Sequence, residues 1–142
     1  MRRFASLFLS LVAIGAAPAS AFAQNHDQTF DAAAAARASV QARRAAAIGD
    51  WPTVAKQLEE AYRADPSIAN EFNLATAYAK TGQISLAIPL YTEVARKGQF
   101  TMATALFDRG DDQTKRPRSF TYSDEALRRI ALLTNQPFPE DR

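Results

Sequence analysis

A pattern of apolar residues that recurs 33 positions later constrains this chain more than any other feature of its sequence. From Trp51 onward, apolar residues fall at i, i+3, i+4, i+7, i+10 and i+11, a spacing that places them on one side of an α-helix. The residues at the same offsets counted from Ile84 are again apolar. Gly49 and Gly82 each stand two residues before a stripe, where a left-handed residue ends one helix and lets the chain reverse. The sequence therefore predicts a duplicated helix-turn-helix unit. The two stripes are Trp51, Val54, Ala55, Leu58, Ala61 and Tyr62, and Ile84, Ala87, Ile88, Tyr91, Val94 and Ala95.

Further stripes predict the remaining helices. One stripe precedes Gly82, one precedes Gly110 and one follows Ser123. Before Gly49 an alanine-rich run stands in the place of a stripe. No run of alternating β-branched residues predicts a strand. We therefore predict an all-α fold of three stacked antiparallel helix pairs, with an inserted loop of 11 residues in the third pair. The predicted helices are about 30–48 with 51–64, 68–81 with 84–97, and 100–109 with 123–134, which gives units of about 30–64, 68–97 and 100–134 and a tail at 135–142.

Three positions indicate where helices begin or bend. Ser67 is a suitable N-cap for the third helix, and Thr121 or Ser123 for the last one. Pro89 lies inside the predicted fourth helix and removes one backbone donor, so we expect a kink or a loosened first turn there.

The stretch NLATAYAKTGQISLAIPLY, residues 73–91, resembles the tetratricopeptide repeat (TPR) family. Leu74 and Ala75 stand for the Leu-Gly of that family's first helix and Tyr78 for its Tyr, while Ala87 and Tyr91 match the second-helix pair. The resemblance covers about residues 35–98, and the third unit rests on spacing alone. It implies that the pairs stack into an array whose first helices line a concave face.

In this family the concave face commonly binds an extended peptide or a segment of a partner protein. The resemblance therefore implies a protein or peptide partner here. Carried over by position, it implies that the partner-binding residues are Arg43, Phe72, Asn73, Thr76, Lys80, Phe100, Thr104 and Asp108.

The first 23 residues have the pattern of a cleavable secretory signal. A short basic start precedes an apolar segment, and the small residues of Ala21-Phe22-Ala23 favour cleavage after Ala23, with Ala19-Ser20-Ala21 as a second cleavage site. An uncleaved membrane anchor is the alternative, because residues 4–23 carry no charge. We expect a periplasmic or secreted protein of residues 24–142 with no transmembrane segment after cleavage.

Composition argues against several classes of function. The chain contains no Cys and one His, His26, near the start of the processed chain, which leaves no ligand cluster for zinc and no base for a Ser-His relay. Loss of Arg2 and Arg3 with the signal leaves fifteen basic and fifteen acidic residues, which is not the charge of a nucleic-acid-binding protein. We therefore predict a protein that is not an enzyme, with no catalytic, cofactor-binding or metal-binding residues, no cofactor and no nucleic-acid partner.

The inserted loop supports an alternative function. Lys115, Arg116 and Arg118 lie next to Phe120 and Tyr122, a combination that binds anionic groups through charge and stacking. The chain is thus either an exported interaction module for a protein or peptide partner in an envelope assembly, or a surface-associating module for anionic glycan or lipid. Solvation of a charged loop is the simpler interpretation of the same residues. The sequence also leaves open a homodimer formed through the outer helix.

Overall fold

The computed structural model describes residues 30–104 and 121–137. Within these ranges the fold is all-α, as predicted, with five helices and no strand. The bounds of the first four predicted helices and of the last one are confirmed to within two residues. The helices are α1 (Ala32–Ala47), α2 (Trp51–Ala64), α3 (Ile68–Lys80), α4 (Ile84–Lys97) and α5 (Tyr122–Thr134).

Side-chain caps mark the start of four of the five helices, α4 being the exception. The side chains of Asp31, Asp50 and Ser67 each accept a hydrogen bond from the backbone N–H three residues later, which satisfies a donor that the first turn leaves without a partner. Thr121 accepts from the backbone of Asp124, whose carboxylate accepts from the backbone N–H of Thr121 in return. This capping box confirms Thr121 as the N-cap of α5.

Both predicted glycine helix ends are confirmed. Gly49 has φ +76° and Gly82 has φ +78°, a left-handed conformation that L side chains rarely adopt. After Gly49 the N–H of Asp50 donates to the carbonyl of Ala45 at 3.0 Å, and after Gly82 the N–H of Gln83 donates to the carbonyl of Tyr78 at 2.8 Å. These are the hydrogen bonds of a Schellman motif, which turns the chain directly into the next helix.

The core is arranged around α3, which contacts α2, α4 and α5. Seven consecutive residues of α3, from Glu71 to Ala77, are buried, so this helix is covered on all sides over two turns. One side, with Leu74 and Ala77, packs into a cluster formed with α1 and α2. The other side, with Phe72 and Ala75, packs into a cluster with α4 and α5. No residue of either predicted stripe is exposed in the structure.

The predicted start of the helix over 100–109 is wrong, whereas the other helix of the third pair is confirmed as α5. Residues 100–104, predicted to belong to a helix over 100–109, form a turn and an irregular segment. Met102 makes an isolated antiparallel bridge with Thr121, and the N–H of Tyr122 donates to the carbonyl of Thr101 at 2.9 Å. The chain that leaves α4 is thereby bonded to the start of α5, which packs directly on α3 and α4.

Candidate functional site

Three of the four predicted partner-binding residues on α3 lie in the core. Phe72, Asn73 and Thr76 are all at most 3% exposed, so the structure corrects their placement on an open face. For Phe72 the physical reason is α5: its Tyr122 packs against Phe72 with ring centroids 5.7 Å apart, on the side of α3 that was expected to be free. The Thr76 hydroxyl donates to the carbonyl of Phe72 at 3.0 Å and lies 2.9 Å from the hydroxyl of the buried Tyr91.

The other predicted residues are dispersed. Arg43 on α1 and Lys80 at the end of α3 are exposed, and the Lys80 ammonium lies 5.4 Å from the centre of the Trp51 ring. Phe100 is 95% exposed, and Thr104 is also exposed, but neither belongs to a helix, contrary to the prediction. The signal residues 1–23, Asp108, and the basic residues Lys115, Arg116 and Arg118 lie outside the described residues.

An open cavity with a volume of about 740 Å³ lies between α2 and α4. Leu74 and Tyr78 of α3 line it together with residues of those two helices, and Leu86 and Pro89 expose apolar surface at its edge. A volume of this size is within the range of ligand-binding clefts. We call it the α2–α4 groove and define it by Glu59, Tyr62, Arg63, Pro66, Leu74, Tyr78, Ser85, Leu86, Pro89 and Leu90.

The α4 wall of the groove presents a backbone acceptor. Pro89 lies inside α4, and helix α4 continues through it. Since proline has no N–H, the carbonyl of Ser85, four residues earlier, lacks its usual helical donor. Ser85 and Pro89 both line the groove. The α4 wall of the groove therefore contains apolar surface together with a main-chain oxygen that lacks its usual helical donor.

Glu59 and Tyr78 form a polar contact in the same groove. The Tyr78 hydroxyl donates to Oε1 of Glu59 at 2.8 Å, which joins α2 to α3. Burial, and then the hydrogen bond to Glu59, raise the pKa of Tyr78 to about 12. The phenol therefore stays protonated and continues to donate throughout the physiological pH range.

Arg63 lies one helical turn after Glu59 on α2 and is exposed. Two acidic residues, Glu59 and Glu60, stand four and three positions before it, at spacings that commonly give ion pairs on a helix. Among residues 30–104 and 121–137, however, the side chain of Arg63 forms neither an ion pair nor a hydrogen bond. The groove therefore carries a guanidinium that is available to a ligand.

A cluster of charges lies close to Tyr62, near the end of α4. Lys97 contacts the buried carboxylate of Glu71 at 3.3 Å and the partly exposed carboxylate of Glu93 at 3.0 Å. Burial raises the pKa of Glu71, although Lys97 opposes this shift. Hydrogen bonds from Arg96 and Lys97 lower the pKa of Glu93 to about 2. Because each carboxylate already has a cationic partner, we assign this cluster a structural role in joining α3 to α4.

Within residues 30–104 and 121–137, no group of three or more His, Cys, Asp or Glu side chains is placed to hold a metal ion. In the same ranges, none of the helices has the length and apolar character needed to cross a membrane.

The sequence contains one indication of the groove, which lies outside the two predicted stripes. Leu86, Pro89 and Leu90 are apolar at i, i+3 and i+4 but lie outside the repeated stripe of α4. A second apolar strip on one helix indicates a second contact surface. Arg63 and Ser85 carry no comparable signal, because their roles depend on where Tyr78 and Pro89 lie in the folded structure.

Comparisons of the chain with protein-family models, with curated proteins and with solved structures gave no match.

Proposed function

We propose that this chain is an exported, TPR-like interaction module that binds a segment of a partner protein in the α2–α4 groove. The observation that carries the proposal is the combination, in one open groove, of exposed apolar surface at Leu86 and Pro89 with the backbone carbonyl of Ser85. An extended peptide offers the complementary groups, since it has apolar side chains and backbone N–H donors along its length.

The rest of the proposal is supported by the sequence. Export is supported by the pattern of residues 1–23, and the TPR-like architecture by the two matched units. Binding without catalysis is supported by the lack of residues for zinc or Ser-His chemistry in the whole sequence. The alternative function, binding of anionic glycan or lipid, rests on residues 115–118, which lie outside the described residues.

Selection of displayed random peptides on the purified chain, followed by calorimetric titration of the selected peptides, tests the proposal. Leu86→Glu places a charge on the apolar edge of the groove, at a residue that is 47% exposed, so the fold is expected to remain intact. Leu127→Glu on α5, at a residue 40% exposed and outside the groove, is the matched control.

We expect Leu86→Glu to weaken binding of the selected peptides by about tenfold or more, because an apolar contact is replaced by a desolvated charge. Leu127→Glu should bind as the wild type does. If Leu86→Glu and Leu127→Glu bind the peptides equally well, the groove is not the binding site and the proposal is wrong.

A second variant examines the backbone acceptor. Pro89→Ala restores a helical N–H opposite the carbonyl of Ser85 and so occupies that oxygen within α4. The variant should be at least as stable as the wild type but should bind peptide more weakly. An unchanged affinity would remove the carbonyl from the binding site.

A further inference from the structure

The further inference rests on the proposed function and concerns the chemistry of the bound segment. Glu59 and Arg63 stand at i and i+4 on α2, with the acidic residue first, which is the favourable order for an ion pair on a helix. The pair does not form. The Tyr78 hydroxyl binds Oε1 of Glu59 at 2.8 Å, and Arg63 is left without an intramolecular partner among the described residues.

We propose that Tyr78, by holding Glu59, keeps Arg63 available for an acidic side chain of the bound peptide. The groove is thereby selective for a partner segment that carries apolar side chains and one aspartate or glutamate. Arg63 is the only one of the groove's residues with a positive charge, and it lies on the same wall as Glu59. A guanidinium at the edge of an apolar groove pairs well with a carboxylate, because each partner satisfies donors or acceptors that the other presents.

Tyr78 positions the Glu59 carboxylate through its hydroxyl, in addition to packing through its ring. The ring lies half-buried against both core clusters, whereas the hydroxyl determines the direction of the Glu59 carboxylate. Removing only the hydroxyl should release Glu59, which then pairs with Arg63 at the i, i+4 spacing. Arg63 would lose its availability to a ligand without any change to Arg63 itself.

The test uses pairs of synthetic peptides derived from those that the displayed library yields. Each pair has the same sequence except that a single aspartate in one peptide is replaced by asparagine in the other. On the wild type we expect the acidic peptide to bind about fivefold more tightly than its amide twin at low salt. This ratio should decrease as the salt concentration rises, because an exposed ion pair is screened.

Four variants distinguish specific roles of Arg63 and Tyr78 in recognising the acidic peptide from a general structural role. Arg63→Gln should bind both twins equally, whereas the control Lys56→Gln, which removes an exposed charge from the same helix, should keep the wild-type ratio. Tyr78→Phe should also lose the ratio. Adding Glu59→Gln to Tyr78→Phe should restore it, since the neutral amide no longer competes for Arg63.

The outcomes distinguish this inference from the proposed function. If the twins bind the wild type equally well while Leu86→Glu still weakens both, the acidic preference is wrong and the groove remains the binding site. If Tyr78→Phe weakens both twins by the same factor, so that the ratio between them is unchanged, Tyr78 acts only through packing and the positioning role is wrong. If no peptide depends on the groove, the proposed function and this inference both fail.

Discussion

Leu58 on α2 provides the most direct test of the core. Its side chain is fully buried in the cluster that α1, α2 and α3 form. Replacing Leu58 with Ala removes three carbon atoms, which costs about 2.4 kcal/mol at roughly 0.8 kcal/mol for each buried methylene. The remaining cavity adds to this cost, and measured losses for such substitutions range from about 2 to 5 kcal/mol.

The surroundings of Leu58 favour the upper half of that range. Of the nine buried residues in the cluster, six are alanines. An alanine has no rotatable side chain with which to fill a cavity, so the site relaxes little after the substitution. We therefore expect Leu58→Ala to lower the free energy of unfolding by about 3 to 5 kcal/mol.

Urea unfolding followed by the fluorescence of Trp51, the single Trp of the chain, measures this change. The midpoint should decrease while the slope of the transition stays constant. Leu58→Val, with an expected loss of about 1 kcal/mol, keeps the test usable if Leu58→Ala does not fold. Leu132→Ala on α5, at a residue 72% exposed, should change the stability by less than about 0.5 kcal/mol. A loss below about 0.5 kcal/mol in Leu58→Ala, at unchanged slope, would show that this side chain is not at the centre of the core.

Three further predictions concern the charges and contacts around α3 and α5. Burial raises the pKa of Glu71, so the stability that this carboxyl contributes is fully present below its unfolded pKa and is lost as the pH rises through its folded pKa. Urea midpoints should therefore show Glu71→Gln gaining stability relative to the wild type as the pH rises from acid to neutral, and a constant difference would contradict this. Gly98→Ala should lower the free energy of unfolding by about 1 to 3 kcal/mol, because the new Cβ would lie 2.8 Å from Cβ of Tyr122. Thermal unfolding measures this loss. An unchanged melting temperature would argue against the close approach of α4 and α5. Thr121→Ala removes the capping box with Asp124 and should cost about 0.5 to 2 kcal/mol in the same assay, whereas an unchanged stability would mean that α5 does not depend on this cap.

The sequence predicts those features of the fold that depend on local chemistry. Gly49 and Gly82 end their helices because their positive φ values are unfavourable for other residues, and the apolar stripes on either side of each glycine are enough to indicate the reversal. The same holds for the capping side chains of Ser67 and Thr121. Helix bounds follow from these residues together with a stripe that must be buried.

The sequence does not predict which helix covers the second side of α3. Phe72 and Thr76 lie on a face that a third helix pair was expected to leave open, yet Tyr122 packs there. The spacing predicted that the apolar stripe of α5 belongs to the outer helix of that pair. The stripe is buried equally well when α5 packs directly on α3 and α4. A periodic stripe shows that one side of a helix is buried but does not identify the helix that buries it.

The groove was not predictable for a related reason, and its contact between Tyr78 and Glu59 leads to a last prediction. On sequence alone, Glu59 and Arg63 form an exposed i, i+4 pair, and only the position of Tyr78 on α3 shows that they do not.

Since the pKa of Tyr78 is raised to about 12, the phenol keeps its proton and continues to hold Glu59 from mildly acidic to mildly alkaline pH. The preference for the aspartate peptide over its asparagine twin should therefore be constant over that range. It should disappear only as the pH falls toward about 4, where an exposed aspartate of the peptide becomes protonated. Calorimetric titration of both twins across this range measures the ratio. A ratio that already falls between neutral and mildly alkaline pH would mean that the phenol loses its proton there and that the contact with Glu59 does not hold the groove in the state described.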